Sequence, residues 1–291
     1  MNWGWQGMAI LSGILSAVAQ VIGKRQVAKM SAFQSGVLRD ATVLAVMMGI
    51  VLTYGGMEWS KYSWVWMGVG LLESVMMAAY YSASRTELAS TVIFSYPLSS
   101  VLIVGLAGGL FGEWQYFDPR TGVGMVNVAS LVAIIILMLI YQGGNLAKTK
   151  WSTKIVLSSL MVVASNVVIK WAVATLGVTP AGYMVWEYLG LVIGGVAYVG
   201  VRRQGMRVGA SGVAWGALQG LLFAVSALMI AQVLRENPLS LASMMRRLAT
   251  VTLTIATGLL WFKEGKKMNR RQGWVLLLAL GIFGVLLGVN R

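Results

Sequence analysis

Apolar residues run in long blocks along this chain, and polar residues fill the short breaks between them. The blocks fall near 5–23, 33–53, 63–82, 89–112, 121–141, 154–174, 180–201, 211–233, 239–262 and 272–289. A helix that spans a bilayer needs ~20 apolar residues. The pattern therefore predicts ten spanning helices with short loops and no water-soluble domain. Leu131–Ile140 and Val275–Leu287 are apolar on every face, as expected of helices in lipid. Outer-membrane strands would alternate polar and apolar residues, and that alternation is missing here. The first block is not read as a signal peptide. No basic segment precedes it, and no clear small-residue cleavage site follows.

Composition narrows the class. Apolar residues make up 58% of the chain and charged residues 11%, against roughly a quarter charged in soluble domains. Mean hydropathy is +0.76. A soluble enzyme, a disordered chain and a fibrous protein are excluded. Without Cys, the chain has no disulfide framework, thiolate nucleophile, iron–sulfur centre or Cys-ligated zinc. Without His, it lacks the commonest metal ligand and the side chain that titrates most readily near neutral pH. Proton coupling would fall to carboxylates. No metal, cofactor or nucleophile–base constellation is expected, and the chain does not read as an enzyme.

The 23 Lys and Arg against 9 acids, a net charge of +14, would point to nucleic acid in a soluble protein. No nucleic-acid partner is expected here, because the basic residues cluster in loops. Loops after helices one, three, five, seven and nine hold 15 of them, including Arg25, Lys148, Arg202 and Lys266. The opposite side holds 4: Lys61, Arg120, Arg235 and Arg291. The positive-inside rule puts the richer side in the cytoplasm and both termini outside. The expectation is a multi-pass protein of the cytoplasmic membrane, in contact with lipid, as a monomer or homodimer.

The two halves repeat. Glu113, Arg120 and Gly122 recur as Glu264, Arg271 and Gly273, each at an offset of 151. Lys24 corresponds to Lys170 at 146, and Asp40 to Glu187 at 147. With five spans per half, the second repeat enters the membrane inverted. That architecture is common in secondary transporters, with the site near the midplane between repeats. The expected units are a first repeat over 1–144, a linker over 145–152 and a second repeat over 153–291. The fold class is an all-α polytopic membrane protein of two inverted five-helix repeats. Glycine pairs Gly105/Gly109, Gly190/Gly194, Gly216/Gly220 and Gly284/Gly288 would allow close helix approach. Pro97 removes a backbone hydrogen bond inside helix four and is expected to mark a hinge, and Pro238 starts helix nine.

These residues resemble the drug/metabolite transporter superfamily, in particular its ten-helix members with two EamA-type repeats. The likeness covers nearly the whole chain. Its most specific part is the end of each repeat, where Glu113 or Glu264 is followed by a polar turn and then Gly122 or Gly273. Lys24, Lys170 and Arg39 also resemble the family. The resemblance implies an alternating-access carrier of small metabolites with a central cavity. Two departures stand out. Helix one has no acid, unlike the small multidrug-resistance branch. Family members usually have cytoplasmic termini, opposite to what the loop charges indicate.

Charges within the apolar blocks are the informative residues, since each costs ~2.5–3.5 kcal/mol at a helix centre. They are Arg39, Asp40, Glu73, Lys170, Glu187, Arg246 and Arg247. Arg39 and Asp40 are neighbours and diverge by ~100° on a helix, so they are not expected to reach one spot. Guanidinium groups bind carboxylate or phosphate in bidentate fashion. Arg246 and Arg247 resemble the paired basic residues in helix nine of the sugar-phosphate branch, where Lys24 and Lys170 would join them. The expected substrate site is Arg246, Arg247, Lys170, Arg39 and Lys24 with Tyr80 and Trp186; Tyr81, Tyr96 and Tyr183 are further cavity aromatics. Glu73, Glu187 and Asp40 are expected to couple protons or pair charges. Glu113 and Glu264 are expected to be structural, pairing with nearby basic residues or capping the next helix. The expected function is secondary transport of a small anionic or zwitterionic metabolite, proton-coupled or by exchange. The rivals are a proton-coupled exporter of organic cations and a lipid or lipid-linked sugar flippase.

Overall fold

The computed structural model describes residues 4–27, 30–57, 59–84, 88–141, 153–201, 208–260 and 270–290. Among them it contains ten α-helices and no strand. They are α1 (Gly4–Val27), α2 (Ala32–Tyr54), α3 (Ser63–Ser84), α4 (Leu88–Phe111), α5 (Gly122–Tyr141), α6 (Thr153–Lys170), α7 (Pro180–Val201), α8 (Ala210–Glu236), α9 (Leu239–Leu260) and α10 (Arg270–Val289). Among the described residues, four stretches, Gly4–Gln26, Gln34–Tyr54, Pro180–Val201 and Ala210–Glu236, are long and apolar enough to cross a membrane. Large apolar side chains such as Leu52, Leu72, Leu110 and Val201 stand exposed on the outside. Both features mark a membrane-embedded protein.

Local chemistry sets the helix ends. Ser31 opens α2 with a capping box: its hydroxyl accepts from Gln34 N, and Gln34 Oε1 accepts from Ser31 N. Gly112, at φ 69°, ends α4 in a left-handed conformation and starts a 3₁₀ turn over Glu113–Phe117. α6 passes at Lys170 into a π-helical turn over Trp171–Thr175. Thr179 caps α7 by accepting from Gly182 N, and Pro180 fills the first helical position. The α4 assignment runs unbroken through Pro97.

The helices pack in a reciprocal pattern. α1 lies against α8 and α9, and α6 lies against α3 and α4. α3 lies against α7, and α8 against α2; α2 meets α7, α4 meets α9 and α5 meets α10. Exchanging each helix with the one five places away leaves these principal contacts unchanged. The helices that meet their own counterparts run antiparallel. Early Val37 of α2 meets late Gly195 of α7. Glu113, just past α4, meets the start of α9. Asn127 near the start of α5 meets Asn290 just past α10, at 2.9 Å.

Contacts also sort the loops onto two ends of the bundle. Gln6 donates to Asn290 O at 2.6 Å, which joins the start of α1 to the end of α10. Asn127 donates to Tyr116 O, and Thr179 donates to Gly56 O. Lys170 and Glu113 both reach the α8–α9 turn. The loops after α2, α4, α6 and α8 thus share one end with the start of α1 and the end of α10. Gln26 donating to Gly212 O joins the end of α1 to the start of α8 at the other end.

Glycine permits the tightest crossings. A Cβ on Gly70 would collide with the backbone oxygen of Glu187, and one on Gly190 with that of Met67. Gly13 abuts Arg246 O in the same way, and Gly220 abuts Arg39 O. Lipid offers helices little hydrophobic reason to associate, so close packing and interhelical hydrogen bonds carry the association. Of the four glycine pairs in the sequence, Gly190/Gly194 and Gly216/Gly220 lie at crossings. Gly105, Gly109, Gly284 and Gly288 face open space, so the spacing alone did not identify a contact.

Candidate functional site

A cavity with about 1160 Å³ of empty space, its open mouth included, lies at the centre of the bundle. Among the described residues, eight helices line it, and none of the lining comes from α5 or α10. Those two pack together with α4 and α9 at the periphery, around Val104, Ile134, Leu248 and Leu286. Among the described residues, five charged ones line the cavity: Arg39, Glu73, Glu187, Arg246 and Arg247. Arg246 lies about 10 Å along α9 from Leu239, at 1.5 Å per residue. The glycine crossings explain how several of these groups come so close together. Arg39, Glu187 and Arg246 each present their backbone oxygen to a glycine on a neighbouring helix.

On the wall formed by α2, α3 and α7, Glu187 accepts hydrogen bonds from Ser165 Oγ at 2.8 Å and Tyr183 OH at 3.0 Å. Both end on Oε1, which fixes the orientation of the carboxylate. Glu73 lies one turn along α3 from Gly70, the residue that touches Glu187. It is within electrostatic range of Glu187, Arg39, Asp40 and Arg246. Among the described residues it forms no hydrogen bond or ion pair with Arg246 or Arg247.

Arg39 and Asp40 correct the sequence argument. Their Cβ directions diverge, yet Arg39 Nε donates to Asp40 Oδ1 at 2.6 Å, and Nη2 reaches the same oxygen. The long arginine arm folds back across the helix surface to its short neighbour. Both residues are buried, and the guanidinium also lies 4.7 Å from the Phe223 ring centroid. Asp40 is not part of the cavity lining. It is the buried counter-ion of Arg39.

On the wall of α1, α4 and α9, Arg247 donates to Ser99 of α4, and Arg246 donates to Ser226 of α8 at 3.3 Å. Ser226 is itself bonded to Ser12 of α1 through reciprocal hydroxyl-to-carbonyl bonds of 2.8 Å. Thr250, one turn beyond Arg246, donates to Gly13 O at 3.0 Å. The arginine-bearing turn of α9 is therefore fastened to three neighbouring helices.

Lys170 and Lys24 do not join the arginines. Lys170 Nζ donates to Leu234 O and Asn237 O, both at 2.8 Å, at the C-terminal end of α8. A cation there complements the helix dipole. Lys24 sits in the last turn of α1, at the opposite end of the bundle. The two lysines thus lie at opposite ends of the bundle. Trp186 is also outside the lining. It packs edge-on against Trp59, with ring centroids 4.7 Å apart, beside Trp64. The side chains of Tyr80, Tyr81 and Tyr96 lie outside the described residues.

Glu113 acts as a cap, but for α9 rather than for α5, the next helix in the chain. Its carboxylate accepts from Leu239 N at 2.7 Å, Ser240 N at 2.8 Å and Ser240 Oγ at 2.5 Å. The antiparallel α4–α9 pair brings the end of one helix to the start of the other. Replacing Glu113 with Ala should lower stability by about 3 kcal/mol, since two backbone donors lose a charged acceptor. Thermal melting in detergent will measure this, with Glu113→Gln retaining part of the effect. Gly122 opens α5, and Gly273 lies three residues inside α10. Glu264 lies outside the described residues.

Several lining residues were absent from the sequence reading: Ser16, Gln20, Ser99, Ser165, Asn166 and Tyr188. Uncharged polar residues within apolar helices are the signal that marks them in the sequence.

The fold recurs in a solved structure. This chain resembles one described only as the crystal structure of a protein, with a TM-score of 0.69 and 15% identity. The match covers 97% of this chain and 98% of the other. It establishes a shared fold. No family model and no curated protein matches the sequence.

Proposed function

We propose that the protein is a secondary transporter, of the drug/metabolite type, that moves a small anionic or zwitterionic metabolite by alternating access. In this reading all ten helices cross the cytoplasmic membrane as two inverted repeats, α1–α5 and α6–α10. The observation that carries it is the central cavity, lined by buried and half-buried ionisable side chains from both halves. Such groups are costly inside a membrane and mark solute or ion pathways. The exchange symmetry of the helix contacts and the antiparallel α2–α7, α4–α9 and α5–α10 pairs support the inverted repeat. Rocking of one repeat against the other would expose the cavity to each side in turn. Glu73 and Glu187 are the groups on hand for proton coupling.

Reconstitution into liposomes tests this reading through counterflow of a panel of organic anions, zwitterions and cations. A folded, monodisperse preparation that moves none of them would overturn it. Glu73 and Glu187 also favour a second reading, proton-coupled export of organic cations. Proton flux driven by quaternary amines but not by zwitterions would select that reading.

The chain contains no cysteine, so a single introduced cysteine reports orientation. The loop charges predict that Lys61→Cys reacts in intact cells with a membrane-impermeant maleimide and that Arg25→Cys does not. Both side chains are exposed, at opposite ends of the bundle. The reverse labelling would place the termini in the cytoplasm.

A further inference from the structure

We infer that the solute is a compact amphiphile: its apolar group rests on a floor formed by Ile169, Met184 and Ile230, and its ionised group sits one helical turn away, among the charged residues of the cavity. The inference rests on the transport reading and adds a solute class and the side chains that select it.

The lining helices close a ring. α1 meets α9, and the contacts run on through α4, α6, α3, α7, α2 and α8 back to α1. The ring fences the cavity from lipid. Apolar residues that line the cavity therefore face the solute space and not acyl chains.

Three of them gather at one end. Ile169 precedes Lys170, which donates to Leu234 O and Asn237 O at the α8–α9 turn. Ile230 lies one turn before Leu234 in α8, and Met184 lies ~6 Å along α7 from Pro180. All three are buried and line the cavity. Behind them Val173, Val178, Leu234 and Leu239 continue the same buried core. This end of the cavity is an apolar floor backed by packed side chains.

The charged layer begins farther in, on the same helices. On α6, Ser165 stands four residues from Ile169 and donates to Glu187. On α7, Glu187 itself stands three residues beyond Met184. On α8, Ser226 stands four residues from Ile230 and accepts from Arg246. Each step is close to one helical turn, ~5 Å. Asn166, beside Ser165, donates its amide to Val162 O within its own helix. A solute polar throughout would give up water against the floor and gain no hydrogen bond there. A solute apolar throughout would strip water from the ionised groups. A solute with a short apolar chain next to its charge satisfies both layers, with the polar groups fixing its orientation.

The test uses the full chain in proteoliposomes and reads competition against whichever member of the anion, zwitterion and cation panel shows counterflow. The competitors are three ionised series with lengthening straight chains: alkylsulfonates, 2-amino acids from alanine to norleucine, and alkyltrimethylammonium ions. In the series whose head group the protein accepts, each added methylene should improve competition about fourfold until the floor is filled. The same chain with a hydroxyl in place of its last methyl should compete at least about tenfold less well. Ile230→Thr and Met184→Thr should each flatten the gain per methylene. Leu110→Thr, on the outer surface, should leave it unchanged. A threonine hydroxyl in a helix bonds back to the carbonyl four residues earlier, so the floor variants are expected to fold, and melting temperatures check this. Ile230→Val is the milder variant and should favour a chain one carbon longer. Competition that does not improve with chain length, or hydroxylated chains that compete equally well, overturns the inference and leaves transport standing. A gain per methylene that the folded floor variants retain also overturns it. If no solute of any charge moves, the transport reading falls with it.

Discussion

Changing Arg246 and Arg247 together to glutamine is expected to reduce solute counterflow to background, a loss of about 100-fold or more, while the protein still folds. The two guanidinium groups line the cavity, as does Arg39, which is paired with Asp40. Glutamine retains a donor for Ser99 or Ser226 but has no charge. Replacing buried ionised groups with neutral ones of similar size is often close to neutral for stability. A melting temperature near that of the parent is therefore expected alongside the lost transport. Lysine at either position should fall in between, because an ammonium keeps the charge and loses the planar bidentate fork. Unchanged counterflow in the glutamine double variant would show that these arginines do not contact the solute.

The second large effect is steric. Gly70→Leu or Gly190→Leu should destabilise the bundle by about 3 kcal/mol or more. At both positions the neighbouring backbone oxygen occupies the space that a Cβ needs. Backbone cannot turn aside as a flexible side chain does, so α3 and α7 must separate. The separation would also move Glu73 away from Glu187. Gly105→Leu is the control, because nothing stands within 4 Å of a Cβ there. Thermal melts of the detergent-solubilised variants will compare the three. A Gly70→Leu protein that melts like the parent would mean that the α3–α7 crossing is looser than the structure has it.

Much of the helix layout was legible because a membrane imposes one simple rule on sequence. Long apolar blocks interrupted by polar turns placed all ten helices to within a few residues. Of the repeat markers, Glu113 caps α9 and Gly122 opens α5, whereas Gly273 lies inside α10. The site was legible only in part. Arg39, Glu73, Glu187, Arg246 and Arg247 do line one cavity. Lys170 looked equally promising in the sequence and instead holds the end of α8. A charged residue near a helix end has the same sequence signature whether it faces a cavity or backbone carbonyls. Trp186 was misplaced for a similar reason, since an aromatic near a helix end fits a cavity and an aromatic cluster equally well.

The amino-acid sequence by itself determined the solvent, the length and number of the helices, and which residues carry charge into the apolar interior. These depend on composition and on one-dimensional spacing. Only the tertiary structure decided which charges meet. It paired Arg39 with its own neighbour, sent Lys24 and Lys170 to opposite ends, and gathered Glu73, Glu187 and the arginines of α9 around one cavity. The physical reason is that charge pairing depends on separations of a few ångströms between helices far apart in the chain. Those separations are set by glycine crossings and antiparallel packing.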